Sequence, residues 1–361
     1  MEGSEPRSSH ATAPPVAPRR TGTAHKPATR KVTAKDVARA AGVSATTVSY
    51  VLNDRAHQSI PEATRRRVLE AAKQLGYAPS AAARALATGR SNLVLGLVSD
   101  WPVGDNMGQL FRRLTAAFAE RGHPFVTHTT GPDGYGGASI ELLWRSITPA
   151  AVVIFDDIDD AQLAAMHAGG IQLTVLAFTA SGTGQGEMER LEREVGRLQV
   201  QHLIARGHRH LGYAWPDDPR LTAFARPRLA GVEDVCREAG LPAPDVRTVS
   251  VRGDGAPAAI AAWRETAPAV TGVCAFNDAT AFAILQAMRQ LGLSAPHDLA
   301  IIGVDDVPTS ALAEPPLSTV NYDRSAMADR LAAAVDSAIT TGSYAPAVFD
   351  GLATLIERST S

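Results

Sequence analysis

Thr46, Thr47, Ser49, Tyr50 and Asn53 are hydroxyls, a phenol and a carboxamide, side chains able to donate and accept hydrogen bonds at the edges of bases. Their spacing puts them on the side of one helical stretch, Ala45 to Leu52, that the apolar Val48, Val51 and Leu52 leave free. Upstream, Val37, Ala38 and Ala41 recur at helical spacing, and Gly42 supplies a turn without a Cβ penalty. Thr33 with Asp36 suits the cap of a first helix and Ser44 the cap of a second. Val32 to Asn53 therefore reads as a helix-turn-helix whose second helix offers Ser44, Ala45 and these polar residues to a major groove. A helical hairpin inside an ordinary core is the alternative.

The flanking sequence extends this pattern. Ser59-Ile-Pro-Glu62 suits the start of a third helix, Glu62 to Leu75, with Arg65, Arg66, Arg67 and Lys73 outside and Val68, Leu69, Ala72 and Leu75 inside. Gly76 stops it. An alanine-rich helix follows between Ser80 and Gly89, too short to persist alone in water. Residues 1 to 30 are rich in Pro, Ser, Thr and Ala with scattered Arg and Lys, the composition of a disordered basic tail. Charge divides the same way: residues 1 to 90 carry 15 Lys+Arg against 6 Asp+Glu, or +9, which leaves the rest at 20 against 31, or −11. A basic arm on an acidic body suits a module that meets phosphate.

Two motifs carry a family resemblance. V-T-x-x-D-V-A-x-x-A-G-V-S-x-x-T-V-S at 32 to 49 and G-Y-x-P-S-x-x-A-R-x-L at 76 to 86 resemble the DNA-binding headpiece and hinge of the lactose repressor (LacI/GalR) family of bacterial transcription regulators. The resemblance implies a homodimer on an inverted-repeat DNA operator, with hinge helices paired in the minor groove and Leu86 wedged into the central base step. DNA contacts are then expected from Ser44, Ala45, Thr46, Thr47, Ser49, Tyr50, Asn53 and His57, and from Ala83 and Leu86 on the hinge helix. Tyr50 departs from the arginine of many members, which implies a different operator preference.

From Asn92 the texture changes to short β-rich runs at 93–98, 124–127, 150–155, 173–178, 211–215, 246–251, 272–276 and 300–304, with amphipathic helices such as 107–121, 198–206, 228–239, 278–291 and 324–340 between them. Such alternation implies parallel sheets covered by helices, and eight strands are more comfortable in two lobes than one. The expected fold is an all-α helix-turn-helix headpiece (31–78) plus hinge helix (79–90), joined to an α/β body of two Rossmann-like lobes of periplasmic-binding-protein type (91–361). By the resemblance the first lobe takes about 92–180 and 323–340, and the second about 181–320 and 341–361, with three crossover strands and a small-molecule effector, sugar-like, in the cleft. Arg228, three residues before Gly231, holds the place of an arginine that grips effector hydroxyls, and Asp278 that of an aspartate that accepts from the same ligand. Their alternatives are a solvated helix-start residue and a helix N-cap. Trp101 is suited to stack on a sugar and Asp100 to bind a hydroxyl, while Asp305 and Asp306 are expected to shape the crossover. Between 179 and 200 the usual linker carboxylate is not identifiable.

Other classes find little support. Nucleotide-binding, nucleophile-elbow and zinc-protease motifs are missing, so neither an enzyme nor a cofactor or metal site is expected. His202, His208 and His210 cluster at a helix end, where Arg206, His208 and Arg209 are expected to meet exposed carbonyls. Cys236 and Cys274 fit a reducing cytoplasm, and no apolar run reaches the length of a membrane span. A solute-binding or sugar-modifying protein with an incidental helix-turn-helix, and an effector-independent DNA-binding dimer, are the competing readings.

Overall fold

The computed structural model describes residues 32–52, 60–77, 91–98, 100–102, 104–130, 138–155, 158–177, 186–252 and 255–361. The N-terminal tail, Asn53, His57, Ser59, the hinge helix with Ala83 and Leu86, and the 178–185 linker lie outside these residues. The chain divides into two units, Met1–Ser80 and Ala81–Ser361.

The first unit is three helices, α1 (Ala34–Ala41), α2 (Ala45–Leu52) and α3 (Glu62–Gln74). Asp36 accepts from both the backbone N–H and the hydroxyl of Thr33 (3.0 and 2.7 Å), which closes the start of α1. Gly42 ends it in the left-handed region at φ 66°, and the Val43 N–H turns back to the Ala38 carbonyl. Val37, Ala38, Ala41, Val48, Val51, Val68, Ala71 and Ala72 form one core. Leu69 and Leu75, expected inside, are 48% and 38% exposed. Ala71 takes the inward place instead, because α3 turns its 68–71–72 stripe to the core and 69 and 75 sit beside it.

The second unit holds two parallel sheets of the same winding. In the first, the order is β2-β1-β3-β4 with β1 Val94–Val98, β2 Phe125–Thr129, β3 Ala151–Phe155 and β4 Thr174–Leu176. The second has the order β6-β5-β7-β8, with β5 Leu211–Pro216, β6 Asp245–Val249, β7 Gly272–Ala275 and β8 Ala300–Ile302. Helices α4 (Asp105–Glu120), α5 (Ala138–Ser146) and α6 (Asp160–Ala168) connect the first sheet. After α7 (Glu187–Ala205), helices α8 (Thr222–Glu238), α9 (Gly255–Glu265) and α10 (Asp278–Gln290) connect the second. Strand β9 (Thr319–Tyr322), helix α11 (Arg324–Thr341) and strand β10 (Ala353–Ile356) complete the chain, with β9 and β10 pairing antiparallel.

The passages between lobes differ from expectation in two places. Helix α7 starts at Glu187 rather than 198, and it is itself a crossover: Met188 and Leu191 pack into the first core, Val195, Val200 and Leu203 into the second. A run of charged residues, Glu187 to Glu194, masks the periodicity of its first half. Likewise Ala347, Phe349 and Leu352 fill the first core before Leu355 returns to the second, so the segment 341–361 is shared between lobes.

Candidate functional site

On the helical unit, Ser44, Ala45, Thr46 and Ser49 are exposed or nearly so, and Thr47 and Tyr50 lie on the same short helix. Ser44 Oγ accepts the Thr47 N–H (3.0 Å) and lies 2.9 Å from Thr47 Oγ1, so these two hydroxyls serve the cap of α2 first. Thr46 and Ser49 stand on the outer face of the helix whose inner face buries Val48 and Val51. Lys35, Arg39, Arg66, Arg67 and Lys73 are exposed on the same unit.

In the body, a cavity of about 480 Å³ opens at the carboxyl ends of the strands, where chains leaving β1, β5, β7 and β8 contribute Trp101, Leu221, Phe276, Asn277 and Asp305. Its walls are mostly apolar: Met107 and Leu110 from α4, Met188 from α7, Phe224 from α8, Phe282 from α10 and Met327 from α11. Trp101 is buried and meets Phe224 edge-on, with ring centroids 5.0 Å apart. Asp100 is not on this wall; it pairs at 3.2 Å with Arg220, which also holds Asp218.

Arg228 reaches the cavity but arrives already partnered. Its guanidinium pairs with Glu192, donates to the Tyr322 hydroxyl (2.9 Å) and to the Phe276 carbonyl, and lies 4.6 Å over the Phe276 ring. Both members of the ion pair are buried. Burial opposes the charge on Arg228, yet Glu192, with Tyr322, Tyr213 and Asp305 adding to it, outweighs that cost, and the guanidinium holds its proton more tightly than usual. The pair exists because α7 and α8 nearly touch: a Cβ on Gly196 would collide with the Arg228 carbonyl oxygen, and one on Gly231 with that of Arg193. Glu192 is therefore a carboxylate in the 179–200 stretch where the sequence pattern identifies none. Its signal is its position beside the Leu191, Val195, Gln199 stripe of a helix that begins well before the expected start at 198.

Asp278 does not face the ligand space as expected. Its carboxylate is fully buried and accepts from the Val307 N–H (3.0 Å), Ser310 Oγ (2.6 Å) and Thr319 Oγ1 (2.6 Å). Nor is it the cap of α10, since Asn277 Oδ1 accepts the Thr280 N–H (2.9 Å). What Asp278 does is pin the 303–310 turn, on which Asp305 and Asp306 both adopt positive φ (116° and 49°). That turn points Asp305 at the cavity. Burial pushes the Asp305 carboxyl up to about 7, with Asp278 and Glu192 adding to the rise and Arg228 and Arg324 opposing it. Arg324 spends its donors on Asn321 Oδ1 (3.0 Å), the Tyr322 and Asp305 carbonyls and Asn106 Oδ1, oxygens from both lobes.

Of the basic residues at the end of α7, Arg209 meets a helix carbonyl, that of Ile204 (2.8 Å), and also holds the His208 carbonyl (3.0 Å). Arg206 pairs instead with Glu357, and His208 Nδ1 lies 3.0 Å from Thr271 Oγ1. Among the described residues no group of three or more His, Cys, Asp or Glu could hold a metal ion, and no helix is long and apolar enough to cross a membrane.

Comparison with known proteins bears on both units. Residues 33–80 match the model described as bacterial regulatory proteins, lacI family, and residues 200–361 that of a periplasmic binding protein-like domain. The chain is 30% identical over 298 residues to the ribose operon repressor of Escherichia coli (strain K12), covering 81% of this chain and 88% of that protein. It is 31% identical over 307 residues to the HTH-type transcriptional regulator GalR of Salmonella typhimurium (strain LT2), covering 83% and 87%. In fold it resembles the lac repressor dimer bound to operator and the anti-inducer ONPF, with a TM-score of 0.70 and 23% identity over 92% of this chain and 99% of that one.

Proposed function

The chain belongs to the lacI family of bacterial regulatory proteins, and from that premise we propose that it is a cytoplasmic, homodimeric repressor whose hold on an inverted-repeat operator changes when a small molecule enters the cavity of the body. The observation that carries this reading is the pairing of a helix-turn-helix unit with a separate two-lobed unit whose switch-point cavity is large, mostly apolar and walled by both lobes. Thr46, Ser49 and Tyr50 read base edges, Ser44 and Ala45 start the helix against the backbone, and Asn53, His57, Ala83 and Leu86 act with them from the residues that follow. Trp101, Asn277 and Asp305 hold the effector, Arg228 backs the wall, and Asp278 and Asp100 act from outside it. The relatives named for ribose and GalR make a sugar-like effector the first class to screen. Among the described residues lining the cavity no nucleophile stands beside a base, which supports a binding role over catalysis.

Selection of bound sequences from random duplex DNA tests the first half. An inverted repeat should emerge. Thr46→Ala and Ser49→Ala should each lower operator affinity by about 1–3 kcal/mol if the hydroxyl touches a base, while the salt slope stays the same. A selected site without symmetry would refute the dimeric reading.

A further inference from the structure

The cavity contains two arginines and three acids, and their pairing constrains the chemistry of what can bind. The donors on Arg228 go to Glu192, Tyr322 and the Phe276 carbonyl. Arg324 likewise turns its donors to protein oxygens. Asp105 is exposed at the rim and accepts from Gln109 (2.7 Å). Among the described residues Asp305 is the charged side chain on this wall whose oxygens accept no protein donor. Its backbone is fixed on both sides, by its N–H to the Val320 carbonyl (2.7 Å) and by Arg324 on its own carbonyl (2.9 Å), so the side chain is presented rather than loose.

A carboxylate or phosphate on a ligand would gain from an arginine only if that arginine were free. Here Glu192 already supplies the anion, at a buried position where a second negative charge would meet like-charge repulsion in low dielectric. Asp305 adds to that repulsion. A hydroxyl or amine has the opposite fortune, because it meets an acceptor that lacks a donor, and the Trp101, Phe224 and Phe282 rings offer apolar walls beside it.

We propose that the cavity selects a non-acidic ligand that donates hydrogen bonds to Asp305 and lays an apolar face on the aromatic wall, and that Glu192 sets this selectivity by occupying Arg228. The proposal rests on the reading of the cavity as the effector site and narrows it to polyol or amine chemistry. The elevated proton affinity of Asp305 agrees, since a carboxylate whose charge is disfavoured by burial gains most from a donor that stabilises that charge.

Three probes of one ring and different head groups decide it: benzyl alcohol, benzylamine and benzoate, titrated into the full-length protein while Trp101 and Phe282 are followed by NMR. Benzyl alcohol and benzylamine should bind at least roughly tenfold more tightly than benzoate, the scale of one charge-assisted hydrogen bond. Asp305→Asn should weaken both benzyl alcohol and benzylamine and so narrow their lead over benzoate. In Glu192→Gln the arginine is left without its anion, and benzoate should gain roughly tenfold and raise the melting temperature of that variant alone. If Glu192→Gln does not fold, the wild-type ranking and the Asp305→Asn arm still decide the matter. Benzoate binding the wild type as well as benzyl alcohol does, with the cavity resonances shifting, overturns the selectivity and leaves the cavity reading standing. Cavity resonances that shift with none of the three overturn both.

Discussion

The helical unit and the cavity are built from contacts of opposite range. In the helical unit, Thr33 pairs with Asp36, Ser44 with Thr47, and Val43 returns to Ala38, all close in sequence. In the cavity, Glu192 meets Arg228 36 residues away and Tyr322 130 residues away, and the arginine reaches Phe276 48 residues on. The difference teaches where specificity is stored. A recognition helix keeps its chemistry in residue types on a locally determined scaffold, whereas the ligand site keeps its chemistry in which side chains the tertiary fold allows to pair.

The largest expected effect breaks one region and spares the other. Val48 is fully buried in the small core that α1, α2 and α3 share. A carboxylate there has no partner, and its burial costs several kcal/mol, as much as a core of this size supplies. Val48→Asp should therefore abolish operator binding. All four tryptophans, Trp101, Trp144, Trp215 and Trp263, lie in the second unit, so a fluorescence-monitored unfolding curve follows that unit alone. That curve should not move, and a shifted tryptophan transition would mean that the two units are not independent.

Next in size is the ion pair that couples α7 to α8. Arg228→Ala leaves Glu192 as a buried charge without its counter-ion, which should lower stability by about 3–5 kcal/mol in the same tryptophan curve. Replacing both residues with leucine should recover most of that loss, because the desolvation of two charges is then avoided. Such a double variant, stable but altered in ligand selectivity, separates what the pair does for folding from what it does for the site. If the double variant is as unstable as the single one, the pair is a net source of stability and not only a selector.

This contrast explains what can be read from the sequence. Val37, Ala38, Ala41, Gly42, Val48 and Val51 are legible because each obeys a local rule of period, turn or cap. Leu69 and Leu75 defeat that rule because three helices can bury only part of a wide apolar stripe. The strands of both sheets are legible as apolar runs, and Arg228 as a cavity residue by resemblance. Glu192 is not legible, since a glutamate in a charged helix is solvated unless a distant partner makes burial tolerable. Asp278 and Asp305 take places opposite to those the sequence suggests. Both follow a strand end, and only the tertiary hydrogen bonds from Val307, Ser310 and Thr319 decide which of them faces the cavity.

The last expected effect lies in pH, and it separates the two regions once more. The Asp305 carboxyl titrates near 7 in the fold, chiefly through burial, against about 3.9 for an unfolded aspartate. Between those values the folded protein holds a proton that the unfolded chain releases. The associated stability is present in full below about pH 4, declines as pH rises, and is gone once pH passes about 7, with a slope no steeper than about 1.4 kcal/mol per pH unit for one proton. Asp305→Asn removes the titration but keeps the shape, so its stability relative to the wild type should climb as pH rises from about 4 to about 7 and level off above. Asp278, whose carboxyl burial also pushes up, is present in both proteins, but it helps to raise Asp305, so the difference curve belongs to the coupled pair. The measurement is a set of urea midpoints by tryptophan fluorescence at closely spaced pH values. Parallel curves for the two proteins would place the Asp305 carboxyl in contact with water and remove it as the acceptor on which ligand selectivity is built. A saturating donor ligand should flatten the wild-type curve toward that of the variant, because the hydrogen bond it gives to the ionised carboxylate undoes the penalty of burial.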